Sequence, residues 1–103
     1  MYKTIYDLLK TLNIPVAYDH FDSNKTIQPP FVVYRELSVD TFKADNKSIY
    51  RDYNFEIELI TIKKDATIQG QIESLLIENN IPYDISAEVW DDDEKIYHNF
   101  FEI

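Results

Sequence analysis

The residues with the widest chemical range in this chain are two histidines set among carboxylates. His20 stands between Asp19 and Asp22, and an imidazole flanked by carboxylates can ligate a metal ion or relay a proton at neutral pH. Side chains so close along one segment do not by themselves impose a coordination geometry. No His-Glu-x-x-His or comparable spacing joins them to other ligands. The expectation is no metal and no catalytic role for His20, Asp19 and Asp22. His98 falls in an apolar, strand-like stretch and is expected half-exposed there. Asp91, Asp92, Asp93 and Glu94 form an acidic run, but a calcium loop needs alternating oxygen ligands, a Gly at its sixth position and a distant Glu. A solvated hairpin tip is the expectation for that run.

Other chemistries lack their residues. There is no Cys, which excludes a disulfide scaffold, a thiolate zinc site and a thiol nucleophile. No Gly flanks any Ser, so no nucleophile elbow is present. The single glycine, Gly70, excludes a Walker loop or a dinucleotide fingerprint. Arg35 and Arg51 are the only arginines, a poor supply for phosphoryl transfer. The expectation is a protein that is not an enzyme and holds no cofactor.

Elements that would position these groups can be read from apolar spacing. Ile5, Leu8, Leu9 and Leu12 form one helical stripe, with Thr4 and Asp7 as a loose capping box. Asn13-Ile14-Pro15 stops that helix, because Asn tolerates the left-handed conformation and Pro cannot continue. Residues 16–21 read as a short strand, 22–30 as a loop and 31–37 as a strand. Residues 38–47 form a polar connection carrying one aromatic, Phe42. A large apolar residue in a solvated loop either folds back or meets a partner.

Residues 49–59 then alternate strictly, with Ile49, Arg51, Tyr53, Phe55, Ile57 and Leu59 on one face. That is a long strand with one buried side. Its other face carries Asp52, Glu56 and Glu58 and meets water or a partner. Asp65 is placed to cap a second helix with Ile68, Ile72, Leu75 and Leu76 as its stripe. Gly70 sits inside it, explained either by close approach of another backbone or by tolerated drift. Asn80-Ile81-Pro82 ends it, repeating the stop of the first helix; convergent capping accounts for the echo. Strands over 83–90 and 95–103 complete the order α-β-β-β-α-β-β. The fold class expected is α+β, two helices on one face of a small, mostly antiparallel sheet, in a single domain spanning 1–103.

The 103 residues leave room for one thin core. Fifteen per cent are aromatic, including eight Tyr, more than such a core can hide, so several are expected half-exposed as at protein interfaces. The formal charge of −9 argues against a nucleic acid held through its phosphates. No run approaches the roughly 20 apolar residues that span a bilayer, and no signal peptide is expected.

Taken in order, several segments resemble the tail-completion proteins of long-tailed phages and prophages of Gram-positive bacteria, the tail terminators that join tail to head. They are Leu8-Leu9 with Ile14-Pro15-Val16-Ala17-Tyr18, Pro30-Phe31-Val32-Val33-Tyr34, Phe42-Lys43-Ala44-Asp45-Asn46-Lys47 and Tyr53-Asn54-Phe55-Glu56-Ile57-Glu58-Leu59. Lys63-Lys64-Asp65, Glu94-Lys95-Ile96-Tyr97 and Phe101-Glu102-Ile103 complete the series. The likeness covers nearly the whole chain, although much of it is core pattern. Thr67-Ile68-Gln69-Gly70 replaces a more charged stretch, and the acidic run near the end is additional.

The resemblance implies a structural protein that forms a homo-oligomeric ring, commonly of six, at the head-proximal end of the tail tube. Its partners would be the tail tube protein and the head connector proteins. Its place would be the virion tail, assembled in the host cytoplasm, with no membrane and no sequence-specific nucleic acid involved. Phe42, Ala44, Asp45 and Asn46, in the matching loop, are the expected oligomer interface. A closed ring requires one patch to complement a different patch of the same molecule. Carboxylates lining its passage would repel DNA and let it slide. Another head–tail connector or minor tail component is the nearest alternative. A further one is an acidic DNA-mimic inhibitor, whose carboxylates would be Asp52, Glu56, Glu58 and the run 91–94.

Overall fold

The computed structural model describes residues 2–22, 27–37 and 55–103. Helix α1 (Tyr2–Lys10) is followed by strands β1 (Val16–Tyr18), β2 (Phe31–Glu36) and β3 (Phe55–Thr61), helix α2 (Ala66–Glu78), and strands β4 (Asp84–Asp91) and β5 (Ile96–Glu102). The order is the expected α-β-β-β-α-β-β, and the class is α+β. Residues 49–54 of the expected long strand lie outside the described residues, as do Phe42, Ala44, Asp45, Asn46 and Asp52.

The apolar periodicities become one core. Ile5 and Leu9 of α1 and Ile72 and Leu76 of α2 pack with Val32, Tyr34, Phe55, Ile57, Leu59 and Phe101 of the sheet. Alternate residues of β2, β3 and β5 therefore face both helices. The sheet runs β1-β2-β3-β5-β4. Only β1 and β2 are parallel; the other pairs are antiparallel. Beyond β5, Ile103 exchanges two backbone hydrogen bonds with Phe55 (2.9 and 3.0 Å), which extends the β3–β5 ladder.

Local signals fix the helix ends. Asp65 accepts from the backbone N–H groups of Thr67 and Ile68, both at 3.1 Å, which satisfies two donors that the first turn leaves open. At the other end Asn80 adopts φ 58°. The Ile81 N–H reaches back to the Leu76 carbonyl and the Asn80 N–H to that of Ile77, a Schellman closure. Asn13 repeats the conformation with φ 61° and donates to the Lys10 carbonyl. The two Asn-Ile-Pro strings thus share the left-handed Asn turn and its hydrogen bond back to the helix.

Two expectations need correction, and one open alternative is narrowed. Helix α1 starts at Tyr2, so Thr4 lies within its first turn and is not the residue that precedes it. Strand β1 ends at Tyr18 instead of residue 21, because Asp19 turns into the left-handed region at φ 65° and the His20 N–H closes back on the Tyr18 carbonyl. No described atom stands within 4 Å of a Cβ placed on Gly70, so no close approach within the described chain explains that glycine.

Candidate functional site

The sheet's second face, away from the helices, carries a connected group of ionisable side chains. Strand register sets Arg35 of β2 opposite Glu56 of β3, and Ile60 of β3 opposite His98 of β5. The turn at Asp19 brings residues 19–22 onto the same side. Arg35 donates from Nε to Asp19 Oδ1 (3.1 Å), from Nη1 to Glu56 Oε1, and from Nη2 to Glu58 Oε1 (3.2 Å). Glu58 uses its other oxygen for the Nδ1 of His98 (2.6 Å), whose ring stacks on Phe100. Arg35, Glu56, Glu58 and His98 are all largely buried at the side chain, from 13% exposure at Glu58 to 27% at Arg35.

A shallow groove of about 410 Å³ adjoins this network, with Phe21, Phe31, Val33, Ile60 and Ile96 among its lining. His20 belongs to it through its contact with Asp19 (2.9 Å), and Asp22 lines it as well. The His20 and Arg35 hydrogen bonds hold the Asp19 carboxyl below its ordinary range. The lining contains two carboxylate–imidazole pairs, Asp19 with His20 and Glu58 with His98, but no Ser, Thr or Cys among the described residues to act as nucleophile. No group of three or more His, Asp or Glu side chains among the described residues is placed to hold a metal ion. The arrangement is a charge network that fastens β1, β2, β3 and β5 to one another.

This network was invisible in the linear pattern. Glu56 and Glu58 read as open carboxylates, whereas the register places a guanidinium and an imidazole against them. A DNA mimic needs unneutralised carboxylates, so this pairing weakens that alternative for Glu56 and Glu58. The one available signal was an arginine at an outward position of β2 in a strongly acidic chain.

The acidic run behaves as a turn. Asp91 Oδ1 accepts from the N–H groups of Asp93 (3.0 Å) and Glu94 (3.1 Å), and Lys95 completes the hairpin at φ 61° with its N–H on the Asp91 carbonyl. Those hydrogen bonds explain the Asp there without a bound cation.

Strand β4 beside it is the least covered element. Ile85, Val89 and Trp90 are exposed, Trp90 at 47%. On the helix side, Glu88 accepts from Lys64 Nζ and from the Tyr97 hydroxyl, both at 2.7 Å. At the opposite edge Tyr18 of β1, together with Tyr6 of α1, also exposed, packs on buried Tyr34. Half-exposed aromatics therefore sit at both edges of the sheet.

The architecture defines a small α+β protein whose sheet ends at β1 and β4 among the described residues and carries a pinned charge network. Comparison with models of known families, with curated proteins and with solved structures finds no match to this chain.

Proposed function

We propose that this chain is a structural component of a phage or prophage tail, forming a ring that completes the tail tube and joins it to the head connector. The observation that carries the reading is the fold class: the resemblance to tail-completion proteins implies helices packed on a small β-sheet, and the described residues have that build. Two helices lie on one face of a mostly antiparallel sheet in the order α-β-β-β-α-β-β. The exposed Tyr6 and Tyr18 beside β1 add to it, because such residues are enriched where proteins meet. In this reading the protein works by shape, with copies docking on one another and on the tube, and it transforms no substrate. Phe42, Ala44, Asp45 and Asn46 form one side of the contact between copies.

The test is electron microscopy of the purified chain, alone and mixed with tail tubes, together with its mass in solution by light scattering. Rings, or tubes capped at one end, are the expected outcome. A chain that remains monomeric at every concentration and leaves tubes bare overturns the reading.

A further inference from the structure

The edge of the sheet at β4 carries an inference that stands whether or not the chain forms a ring. Strand β4 pairs with β5 along one side, and its other side has no strand partner among the described residues. An open edge offers backbone donors and acceptors to any extended segment that meets it. A bulge between Ile85 and Ala87 interrupts the register, leaving Ala87 through Asp91 regularly paired with β5. Val89 and Trp90 project to opposite faces of that stretch, exposed at 45% and 47%, so an added strand would find apolar side chains on both sides.

Charge selects the partner. Residues 88–94 carry five carboxylates and no Lys or Arg. Lys64 and Lys95 reach this region, at Glu88 and Asp92. Two copies joined through their β4 edges would set two acidic segments side by side, which like-charge repulsion opposes. The edge at β1 is a poor complement too, since only three residues run there before Asp19 turns the chain. The carboxylates that keep another acidic edge away attract a basic one. We infer that the Ala87 to Asp91 edge of β4 binds an extended, Lys- or Arg-bearing segment of a different protein as a sixth strand.

Trp90, the only tryptophan, reports directly on this edge. The full chain is titrated with an octapeptide of alternating Lys and Val, with the same peptide carrying a central Pro, and with its Glu-Val counterpart. The expected result is a saturable blue shift of Trp90 emission with the Lys-Val peptide. Slowed amide exchange should be confined to residues 87–91. The Pro peptide, lacking one backbone donor and unable to lie flat, should bind about tenfold or more weakly, and the Glu-Val peptide should not bind. Equal binding of the Lys-Val and Pro peptides reduces the effect to side-chain charge and overturns the inference, as does no binding. A Trp90 shift that follows protein concentration without peptide identifies a second copy as the occupant and also overturns it.

Discussion

Replacing Arg35 by Met tests the claim that the charged face holds the sheet together. The substitution keeps most of the apolar stem and removes the cation, leaving Asp19, Glu56 and Glu58 without the guanidinium that all three contact. An exposed ion pair contributes about 0–1 kcal/mol, whereas removing one partner of a fully buried pair costs about 3–5 kcal/mol. Asp19 is half-exposed and belongs to the first class. Glu56 and Glu58, with side chains 21% and 13% exposed, lie nearer the second. The two also project from the same side of β3, so removing Arg35 adds their mutual repulsion. The expected loss is about 2–3 kcal/mol, a large share of the roughly 5–15 kcal/mol that keeps a domain folded.

Urea unfolding followed by circular dichroism measures it. The midpoint should fall for R35M and return more than halfway for the triple variant R35M/E56Q/E58Q, which removes the stranded charges. About 1 M salt should narrow the gap between R35M and the parent. An R35M protein within about 0.5 kcal/mol of the parent, the range of a neutral surface change, would refute the reasoning. So would a triple variant no more stable than R35M.

Phe42→Glu is expected to abolish ring formation in electron microscopy while the circular dichroism spectrum stays that of the parent; unchanged rings remove that loop from the interface. Gly70→Ala should raise stability by about 0.5–1 kcal/mol, through helix propensity and a less disordered unfolded chain, because its Cβ meets no described atom; thermal unfolding reads this as a higher Tm, and a lower one shows that the space is filled. Hydrogen bonds from His20 and Arg35 depress the pKa of Asp19, and those from Lys64 and Tyr97 depress that of Glu88. The folded state therefore holds fewer protons than the unfolded one, so this stabilisation is present above the ordinary values of 3.8 and 4.5 and lost as pH falls below them. Urea midpoints at about pH 6 and about pH 3 should differ less in D19N/E88Q than in the parent. Asn99 is fully buried, and its Oδ1 lacks a described partner while its Nδ2 meets Gln69 at 3.4 Å. The double change Gln69→Leu with Asn99→Leu is expected to stabilise by about 1–3 kcal/mol, and a destabilised double variant would show that this polar pair is needed.

What the amino-acid order determined alone was local. The stripe Ile5, Leu8, Leu9, Leu12, the Asp65 cap and the Asn-Ile-Pro stops each act within a few residues, where helix geometry follows directly from spacing. The alternation through Phe55, Ile57 and Leu59 equally disclosed a strand with one buried face, because side chains on a strand change sides at every residue. Which strands become neighbours was beyond that reach. The order β1-β2-β3-β5-β4 and its registers brought Arg35 to Glu56 and Glu58, and His98 to Glu58, across separations of 21, 23 and 40 residues. The same face that reads as solvent-facing carboxylates in the chain is, once folded, a network of ion pairs. Periodicity states which side of a strand a residue occupies, whereas pairing with distant strands decides what it meets there, and that choice belongs to the packing of the whole core.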